Sequence, residues 1–169
     1  HLKRLGVNAV EFLPLQKFAY FEPPFNEQTK KGIKNTWNSY SRNYWGYMTS
    51  FFHAPETIYA SDASLSEDEV VGQSDKAISE LKSLVKELHK NDIAVIMDVV
   101  YNHASHYDQN PLKILAREHY FKLDEKGNFI NNSWTGNDID TSSEHSRKLI
   151  IESVLHWIRE YHIDGFRFD

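Results

Sequence analysis

Apolar residues in this chain follow two periods, one typical of buried strands and one typical of amphipathic helices. A mostly apolar stretch at residues 7–13 that ends before Pro14, an unbroken apolar run at residues 93–97 and a short alternation at residues 163–169 predict three strands. Residues 75–90 and 143–161 instead place apolar side chains every three or four positions, which predicts two helices. Strands that alternate with helices in this way indicate a right-handed parallel α/β array.

Each predicted helix has one apolar face broad enough to cover a sheet. On the first helix this face consists of Ile78, Leu81, Leu84, Val85 and Leu88. On the second helix it consists of Leu149, Ile150, Val154, Leu155 and Ile158. Ser142 or Ser143 is expected to cap the second helix at its start.

The stretches between the first strand and the first helix are less regular. Residues 16–43 are polar and aromatic without a clean period, which predicts a long loop. Residues 43–52 are dense in rings around Gly46 and fit either a packed aromatic corner or a binding platform. Residues 61–71 are acidic, and we expect a solvated loop or a short helix there.

Residues 104–140 form the longest segment between a predicted strand and a predicted helix. Within it, residues 111–118 are compatible with a short helix. Residues 120–123 and 128–130 flank a Lys-Gly turn and predict a small hairpin. Residues 134–140, with the sequence WTGNDID, have the polarity of a loop close to a site.

Composition limits the partners and the chemistry of the chain. The net charge is −5 and there is no long basic run, so we expect neither nucleic acid nor an anionic membrane surface as a partner. No apolar stretch is long enough to span a bilayer. The absence of cysteine excludes disulfides and thiolate catalysis but leaves the compartment open between cytoplasmic and secreted. Because His1 and Asp169 do not resemble natural ends, we expect a piece of a longer protein.

Polar side chains follow the predicted strands where those strands end. Asp98 and His103 come after the buried run, and Arg167 and Asp169 close the last strand. The first pair alone fits a structural aspartate with a surface histidine equally well, but the chain repeats the pattern. Because the carboxyl ends of parallel strands share one edge, we expect these residues to meet near the rings around Tyr47.

The expected cluster suits carbohydrate chemistry. Arg167 beside Asp169 favours the charged form of the carboxylate. An ionised carboxylate over an aromatic floor can attack an anomeric carbon and form a glycosyl-enzyme intermediate. That reaction also needs a second carboxyl group as the acid, for which the sequence offers no obvious candidate.

At these residues the chain resembles the α-amylase family of glycoside hydrolases. The segments DVVYNH (98–103) and DGFRFD (164–169) resemble two signature segments of the family, and residues 7–15 and 43–52 resemble its flanking segments. The resemblance implies an α/β fold of the TIM (β/α)8 barrel type, of which the chain would hold about strands 2–4. Residues 104–140 would be the insertion after the third strand.

The resemblance also implies roles for individual residues. Asp169 matches the family's nucleophile, and Arg167 matches the arginine that keeps it charged. His103 matches the histidine that hydrogen-bonds the sugar at the reaction centre, and Tyr47 matches the tyrosine stacked beneath that sugar. The substrate implied is an α-glucan such as starch, glycogen or pullulan.

Two further positions match structural sites of the family. Asp98 matches an aspartate that braces the site, and Asn102 matches a position that ligates calcium in many α-amylases. Calcium is thus the candidate cofactor that the resemblance suggests, and no residue of this chain is assigned to metal binding. The family's general acid and third carboxylate lie on later strands, so we expect the 169 residues alone to be inactive.

The bond that would be cleaved is suggested by two segments. NYWGYMT (43–49) is most similar to isoamylases, and residues 134–169 are most similar to pullulanases, both of which act on α-1,6 branch points. An α-1,4-glucan hydrolase, a branching transferase and a non-catalytic glucan-binding relative are the alternatives. A nucleotide-binding domain is disfavoured because the chain has neither a GxGxxG turn nor a GK[ST] loop.

Overall fold

The computed structural model describes residues 1–20, 26–29, 32–35, 43–64, 72–105 and 110–169. In chain order, the elements are α1 (Leu2–Leu5), β1 (Ala9–Phe12), β2 (Gln16–Phe18), β3 (Asn26–Thr29), β4 (Gly32–Asn35), β5 (Thr49–Pro55), α2 (Ala77–His89), β6 (Ala94–Val99), α3 (Pro111–Leu115), α4 (Arg117–Tyr120), α5 (Glu144–Tyr161) and β7 (Gly165–Phe168). A 3₁₀ turn spans Thr57–Tyr59.

The central sheet contains three parallel strands in the order β1–β6–β7. The middle strand buries Val95, Met97 and Val99 completely, because neighbours flank it on both sides and helices cover the sheet. Helix α2 precedes β6 and helix α5 precedes β7, so each new strand follows a helical crossover. The predicted parallel α/β array is confirmed.

Helix α2 matches the prediction in position but only partly in its buried face. Val85 and Leu88 are buried, and Leu81 is half-buried against the core. Ile78 is 53% exposed and Leu84 is 43% exposed, so the prediction was wrong for these two residues. Their side chains lie at the edges of the stripe, beyond the part of the helix that covers β6.

Helix α5 confirms part of the predicted apolar face, because Leu149, Ile150 and Val154 are partly buried against the core, but its fully buried positions are other residues. Its buried positions are Ser146, Ser153, Trp157 and Tyr161. Ile158, predicted for the apolar face, is 41% exposed. The small serines bring the helix close to its neighbours, and the large rings then fill the remaining space. A hydrophobicity pattern does not report this arrangement, because serine counts as a polar residue.

The prediction of a loop at residues 16–43 was wrong, because that range contains β2 and the antiparallel pair β3–β4. Strand β2 has only three residues and pairs with β5 in an irregular antiparallel register. Neither β2 nor β5 has a clean alternation of apolar and polar residues in its sequence. The strands are therefore defined by their pairing with each other and not by a hydrophobicity pattern. Residues 65–71, which belong to the acidic stretch, lie outside the described residues.

The small hairpin predicted near residue 126 is reduced to single bridges. Leu123 pairs with Phe129 in one isolated bridge, and Phe121 pairs with Ile139 in another. Gly127 occupies the turn with a φ of 79°, a conformation that suits glycine. The region therefore turns where the sequence indicates but does not extend into strands.

One backbone carbonyl joins β5 to helix α5 and to β2. The oxygen of Phe52 accepts hydrogen bonds from Trp157 Nε1 at 2.8 Å, Ser153 Oγ at 2.7 Å and Gln16 Nε2 at 2.9 Å. All three donor residues are fully buried, and Tyr101 also contacts Ser153 and Gln16 through its hydroxyl. The helix is therefore fixed to the strand that follows the ring-rich loop.

We expect Trp157→Ala to lower the free energy of unfolding by about 3–5 kcal/mol, because it opens a large cavity and removes a donor to the Phe52 carbonyl. Ile158→Ala, at the neighbouring exposed position, should cost less than about 1 kcal/mol. Urea unfolding of the two variants and the parent provides the test. Equal losses in both variants would show that the Trp157 contact does not anchor the helix.

Candidate active site

The polar cluster lies where β6 and β7 run side by side. Asp98 stands on β6 directly opposite Arg167 on β7, and Asp169 follows immediately after β7. Alternation along β7 turns Arg167 and Asp169 to one side and the rings of Phe166 and Phe168 to the other. The sheet register therefore sets the spacing of the three charged groups.

Arg167 bridges two carboxylates. Its Nη1 lies 3.0 and 2.9 Å from the two oxygens of Asp98 and 2.5 Å from Asp169 Oδ1. The Asp98 side chain is 3% exposed, whereas that of Asp169 is 35% exposed. The hydrogen bonds to Asp98, and to a smaller extent the hydrogen bond to Asp169, raise the pKa of Arg167 above its usual value. Asp98 is therefore enclosed by the protein, whereas Asp169 remains accessible to a ligand.

Tyr47 adds a second donor to the buried carboxylate, with its hydroxyl 2.5 Å from Asp98 Oδ2. Burial and the hydrogen bond to Asp98 raise the pKa of Tyr47 to about 12, so the phenol keeps its proton and donates. The preceding Gly46 has a φ of 85°, and a Cβ there would lie 3.0 Å from the ring of Phe18. Glycine is therefore required at the turn that presents the tyrosine.

His103 is buried and touches the same loop through its backbone. Its Nε2 lies 2.9 Å from the carbonyl oxygen of Tyr47, and since a carbonyl only accepts, Nε2 carries the proton. Burial lowers the pKa of His103, which favours the neutral ring. Nδ1 is then an acceptor. It lies 2.6 Å from the atom assigned as Asn102 Oδ1, so a neutral ring requires the reversed orientation of this amide, with Nδ2 donating to Nδ1.

The surroundings of Asn102 do not fit a calcium site. Its side-chain amide lies against His103, and its backbone oxygen accepts a hydrogen bond from the N–H of Ile139. Within the described ranges, no three His, Cys, Asp or Glu side chains are grouped so that they could hold a metal ion. The described residues around Asn102 therefore do not fit a bound calcium ion.

A loop at residues 131–140 is joined to this rim by a buried amide. Asn137 is fully buried, its Oδ1 accepts from the N–H of Ala104 at 3.0 Å and its Nδ2 donates to the carbonyl of Ala104 at 2.7 Å. Ala104 directly follows His103. Sequence reasoning placed the loop near the site but did not identify Asn137, and the polar run WTGNDID was the available signal.

Sequence reasoning also missed Glu56, a carboxylate that is only 4% exposed. It accepts hydrogen bonds from the backbone N–H of Phe18 at 3.0 Å and of Ile58 at 2.9 Å, and from the hydroxyl of Tyr20. These bonds fix β2, which in turn supports the loop that carries the site tyrosine. Nothing in the local pattern distinguishes this glutamate from a solvated one.

A cavity of about 840 Å³ lies between β1, the 3₁₀ turn and α2, away from the charged cluster. Its lining includes Phe12, Leu81, Leu84 and Tyr59, and it contains none of the site carboxylates. The lining resembles a packing surface more than a catalytic centre. The candidate site therefore rests on the polar cluster and not on this cavity.

In the described part of the chain, no helix has both the length and the apolar character needed to cross a membrane.

The structure thus brings together Asp98, Arg167, Asp169 and Tyr47 through direct side-chain contacts, and joins His103 to them through the Tyr47 carbonyl. The family model described as the α-amylase catalytic domain matches residues 47–169, which include all of these side chains. The chain belongs to the α-amylase family.

Relatives within this family cover the whole chain. Isoamylase 3, chloroplastic, of Oryza sativa subsp. japonica is 40% identical over 176 residues, and the pullulanase of Bacillus subtilis (strain 168) is 34% identical over 169 residues. The matched regions make up 20% and 21% of those two proteins. The chain therefore spans about one fifth of the length of the α-amylase-family proteins that it matches.

Solved structures of pullulanases share its fold. A mutant pullulanase from Paenibacillus barengoltzii complexed with maltotetraose superposes with a TM-score of 0.76 at 33% identity, covering 100% of this chain and 23% of that one. A pullulanase from Anoxybacillus sp. LM18-11 complexed with maltotriose gives 0.75 at 32% identity, covering 99% and 21%. The chain therefore has the fold of the α-amylase catalytic domain, which is of the TIM-barrel type.

The buried histidine of this α-amylase-family site predicts a pH dependence of stability. Burial lowers the pKa of His103 in the folded state, whereas the ring in the unfolded chain keeps its ordinary pKa of about 6.5. Below that pH the unfolded chain therefore binds a proton more readily than the folded chain does. The stabilising contribution of the neutral ring is therefore present above that pH and is lost as the pH falls. We expect His103→Gln to show a smaller loss of unfolding free energy than the parent between about pH 7 and about pH 5.

Urea unfolding at the two pH values measures this difference. His53, whose pKa is also lowered by burial, is retained in both proteins, so its contribution cancels. His162→Gln, at an exposed helix end, serves as the control and should follow the parent. A parent and a His103→Gln variant with the same pH dependence would show that the folded state protonates the ring freely.

Proposed function

We propose that the protein carrying these residues is a retaining glycoside hydrolase of α-glucans that cleaves α-1,6 branch linkages. The observation that carries this proposal is the Arg167 bridge, which places a partly exposed Asp169 beside a positive charge at the end of β7. In barrels of this type, active sites lie at the carboxyl ends of the strands. Family membership supports the same reaction class.

Asp169 would act as the nucleophile. Its Oδ1 is occupied by Arg167, and Oδ2 accepts no hydrogen bond from the described residues, which leaves it for attack. Oδ2 would form a bond to the anomeric carbon while the glycosidic C–O bond breaks and an acid protonates the departing oxygen. Water would then attack the same carbon while it gives a proton to the group that acted as the acid, and this step would release the sugar and return the Asp169 carboxylate.

The acid for this step is not Asp98, because that carboxylate is enclosed by Arg167 and Tyr47 and does not face a ligand. A retaining mechanism needs an acid about 5–5.5 Å from the nucleophile. We propose that it comes from a strand outside these 169 residues, as in the family. The much greater length of the matched relatives supports this.

Tyr47 and His103 would bind the sugar at the reaction centre. The phenol ring is held in place by its hydroxyl on Asp98, so a ring face remains for stacking. The hydrogen bond of His103 to the Tyr47 carbonyl sets the position of the imidazole relative to that ring. The resemblance assigns both groups to one sugar. Because both ring nitrogens of His103 are hydrogen-bonded within the protein, a bond to that sugar would replace the bond to Asn102 or the bond to the Tyr47 carbonyl.

We also propose a place for the described strands within the barrel. β1, β6 and β7 would be the second, third and fourth of its eight strands, and residues 104–140 would form the insertion after the third. Their parallel order and the helical crossovers support this assignment. The whole range would then be one part of a single catalytic domain.

The α-1,6 linkage is supported by the isoamylases and pullulanases among the matched relatives. Assay of the natural-length protein on pullulan and on amylose tests it, because pullulan carries α-1,6 bonds and amylose carries α-1,4 bonds. Release of maltotriose from pullulan is expected, because α-1,6 bonds join the maltotriose units of pullulan and cleavage of its α-1,4 bonds would give other products. Preference for amylose, or transfer of chains without hydrolysis, would contradict the linkage while leaving the nucleophile in place.

We expect Asp169→Asn in the natural-length protein to lower turnover about a thousandfold or more, because an amide keeps the shape but cannot form the glycosyl-enzyme. Calorimetric binding of an unhydrolysed oligosaccharide should survive. Glu125→Gln, which alters an exposed acid in a distant turn, is the matched control. Turnover of Asp169→Asn within about tenfold of the parent would exclude this residue as the nucleophile.

Replacement of Tyr47 separates stacking from hydrogen bonding. Tyr47→Ala removes the ring and should raise the barrier in kcat/KM by roughly 1–4 kcal/mol. Tyr47→Phe keeps the ring but loses the bond to Asp98, so its loss should be clearly smaller. Ile151→Ala, on the exposed face of α5, should leave kcat/KM unchanged. Equal losses in Tyr47→Phe and Tyr47→Ala would show that the hydroxyl, and not the ring face, is what the reaction requires.

A further inference from the structure

Trp134 is the most exposed large apolar side chain in the described part of the molecule, with 92% of its surface open. Its indole makes no hydrogen bond or ring contact with the described residues. Its backbone φ is 62°, in the left-handed region that disfavours any residue with a Cβ. An exposed indole on an unfavourable backbone is the kind of outlier from which a function can be inferred.

Hydrogen bonds fix the backbone on both sides of this indole. Asp138, only 6% exposed, accepts from the N–H groups of Asn132 and Ser133 at 3.1 Å each and from Ser133 Oγ at 2.6 Å. The N–H of Gly136 donates to Asn131 Oδ1 at 2.7 Å. Although burial opposes the charge, these bonds lower the pKa of Asp138, so the anchor remains an ionised acceptor. The ring is therefore presented by an ordered loop.

The same loop is tied to the candidate active site. Asn137, three residues beyond Trp134, bonds both backbone groups of Ala104, the residue after His103. Chain geometry then limits the distance between the Cα atoms of Trp134 and His103 to about 20 Å. That distance corresponds to a few sugar units of a glucan chain. The indole contacts none of the described site side chains, and a glucan chain of a few sugar units can span this upper limit.

We propose that Trp134 forms an outer subsite that stacks on a glucosyl ring of an α-glucan chain and favours long chains over short ones. The proposal rests on the proposed function. A pyranose ring has an apolar C–H face, and stacking that face on an indole removes both apolar surfaces from water. The sugar hydroxyls at the ring edge remain solvated, so the site needs no further polar residues.

Three substitutions separate the ring from the backbone conformation. Trp134→Gly removes the ring and suits a φ of 62°, so its melting temperature should equal or exceed that of the parent. Trp134→Asn also removes the ring, and asparagine tolerates this conformation better than most residues. Trp134→Tyr keeps an aromatic face. A defect shared by the first two variants but not by the third is a defect of stacking.

Calorimetry of the natural-length protein in the Asp169→Asn background measures the effect without turnover. We expect Trp134→Gly and Trp134→Asn to weaken binding of maltooctaose about tenfold, while binding of maltotriose stays within about twofold. Trp134→Tyr should remain within about threefold of the parent for both sugars. Unchanged maltooctaose affinity in Trp134→Gly, or equal weakening for both sugars, would overturn the outer subsite.

Parallel activity assays with Asp169 intact distinguish this inference from the proposed function. If the parent hydrolyses α-glucans and Trp134→Gly binds maltooctaose as well as the parent does, only the subsite is wrong. If the parent hydrolyses no α-glucan but Trp134→Gly still weakens binding of maltooctaose and not of maltotriose, the subsite stands and the proposed reaction fails. A protein that binds neither sugar overturns both.

Discussion

The structure of the site depends on the burial of one carboxylate. Asp98 is 2% exposed, and a buried carboxylate is costly unless it is paired and hydrogen-bonded. Its partners come from separate parts of the chain, Arg167 from β7 and Tyr47 from the loop before β5. Satisfying this one group therefore fixes the register of two strands and the position of a loop at the same time.

This constraint also prepares the exposed end of the cluster. Because Arg167 is held by Asp98, its guanidinium is in place to donate to Asp169 before any ligand arrives. A group positioned by the fold needs no rearrangement when charge changes at the reacting atoms. The histidine follows the same logic, since His103 is fixed through the backbone of the loop that Asp98 holds through Tyr47. Stability and chemistry thus share one set of contacts.

Sequence reasoning recovered the parts of the molecule that periodicity controls. The buried run ending in Asp98 and the alternation around Arg167 predicted both the parallel strands and the meeting of their polar ends. It failed where pairing or single contacts decide the structure. Strand β2 has only three residues, and they do not alternate between polar and apolar. The Phe52 carbonyl accepts hydrogen bonds from residues that lie far apart in the chain. Such contacts leave no local pattern to find.

Some residues of the site are held by the sheet and others by a loop, and the two groups suit different functions. Residues on β6 and β7 are placed by the sheet, which the whole fold stabilises, so they suit a fixed reaction step. The loop at residues 131–140 is instead placed by side chains that bond backbone, among them Asn137 and Asp138. A loop anchored in this way can differ in length and side chains without disturbing the strands. Reaction type would then be set by the sheet, and the choice among glucan chains by the loops attached to its rim.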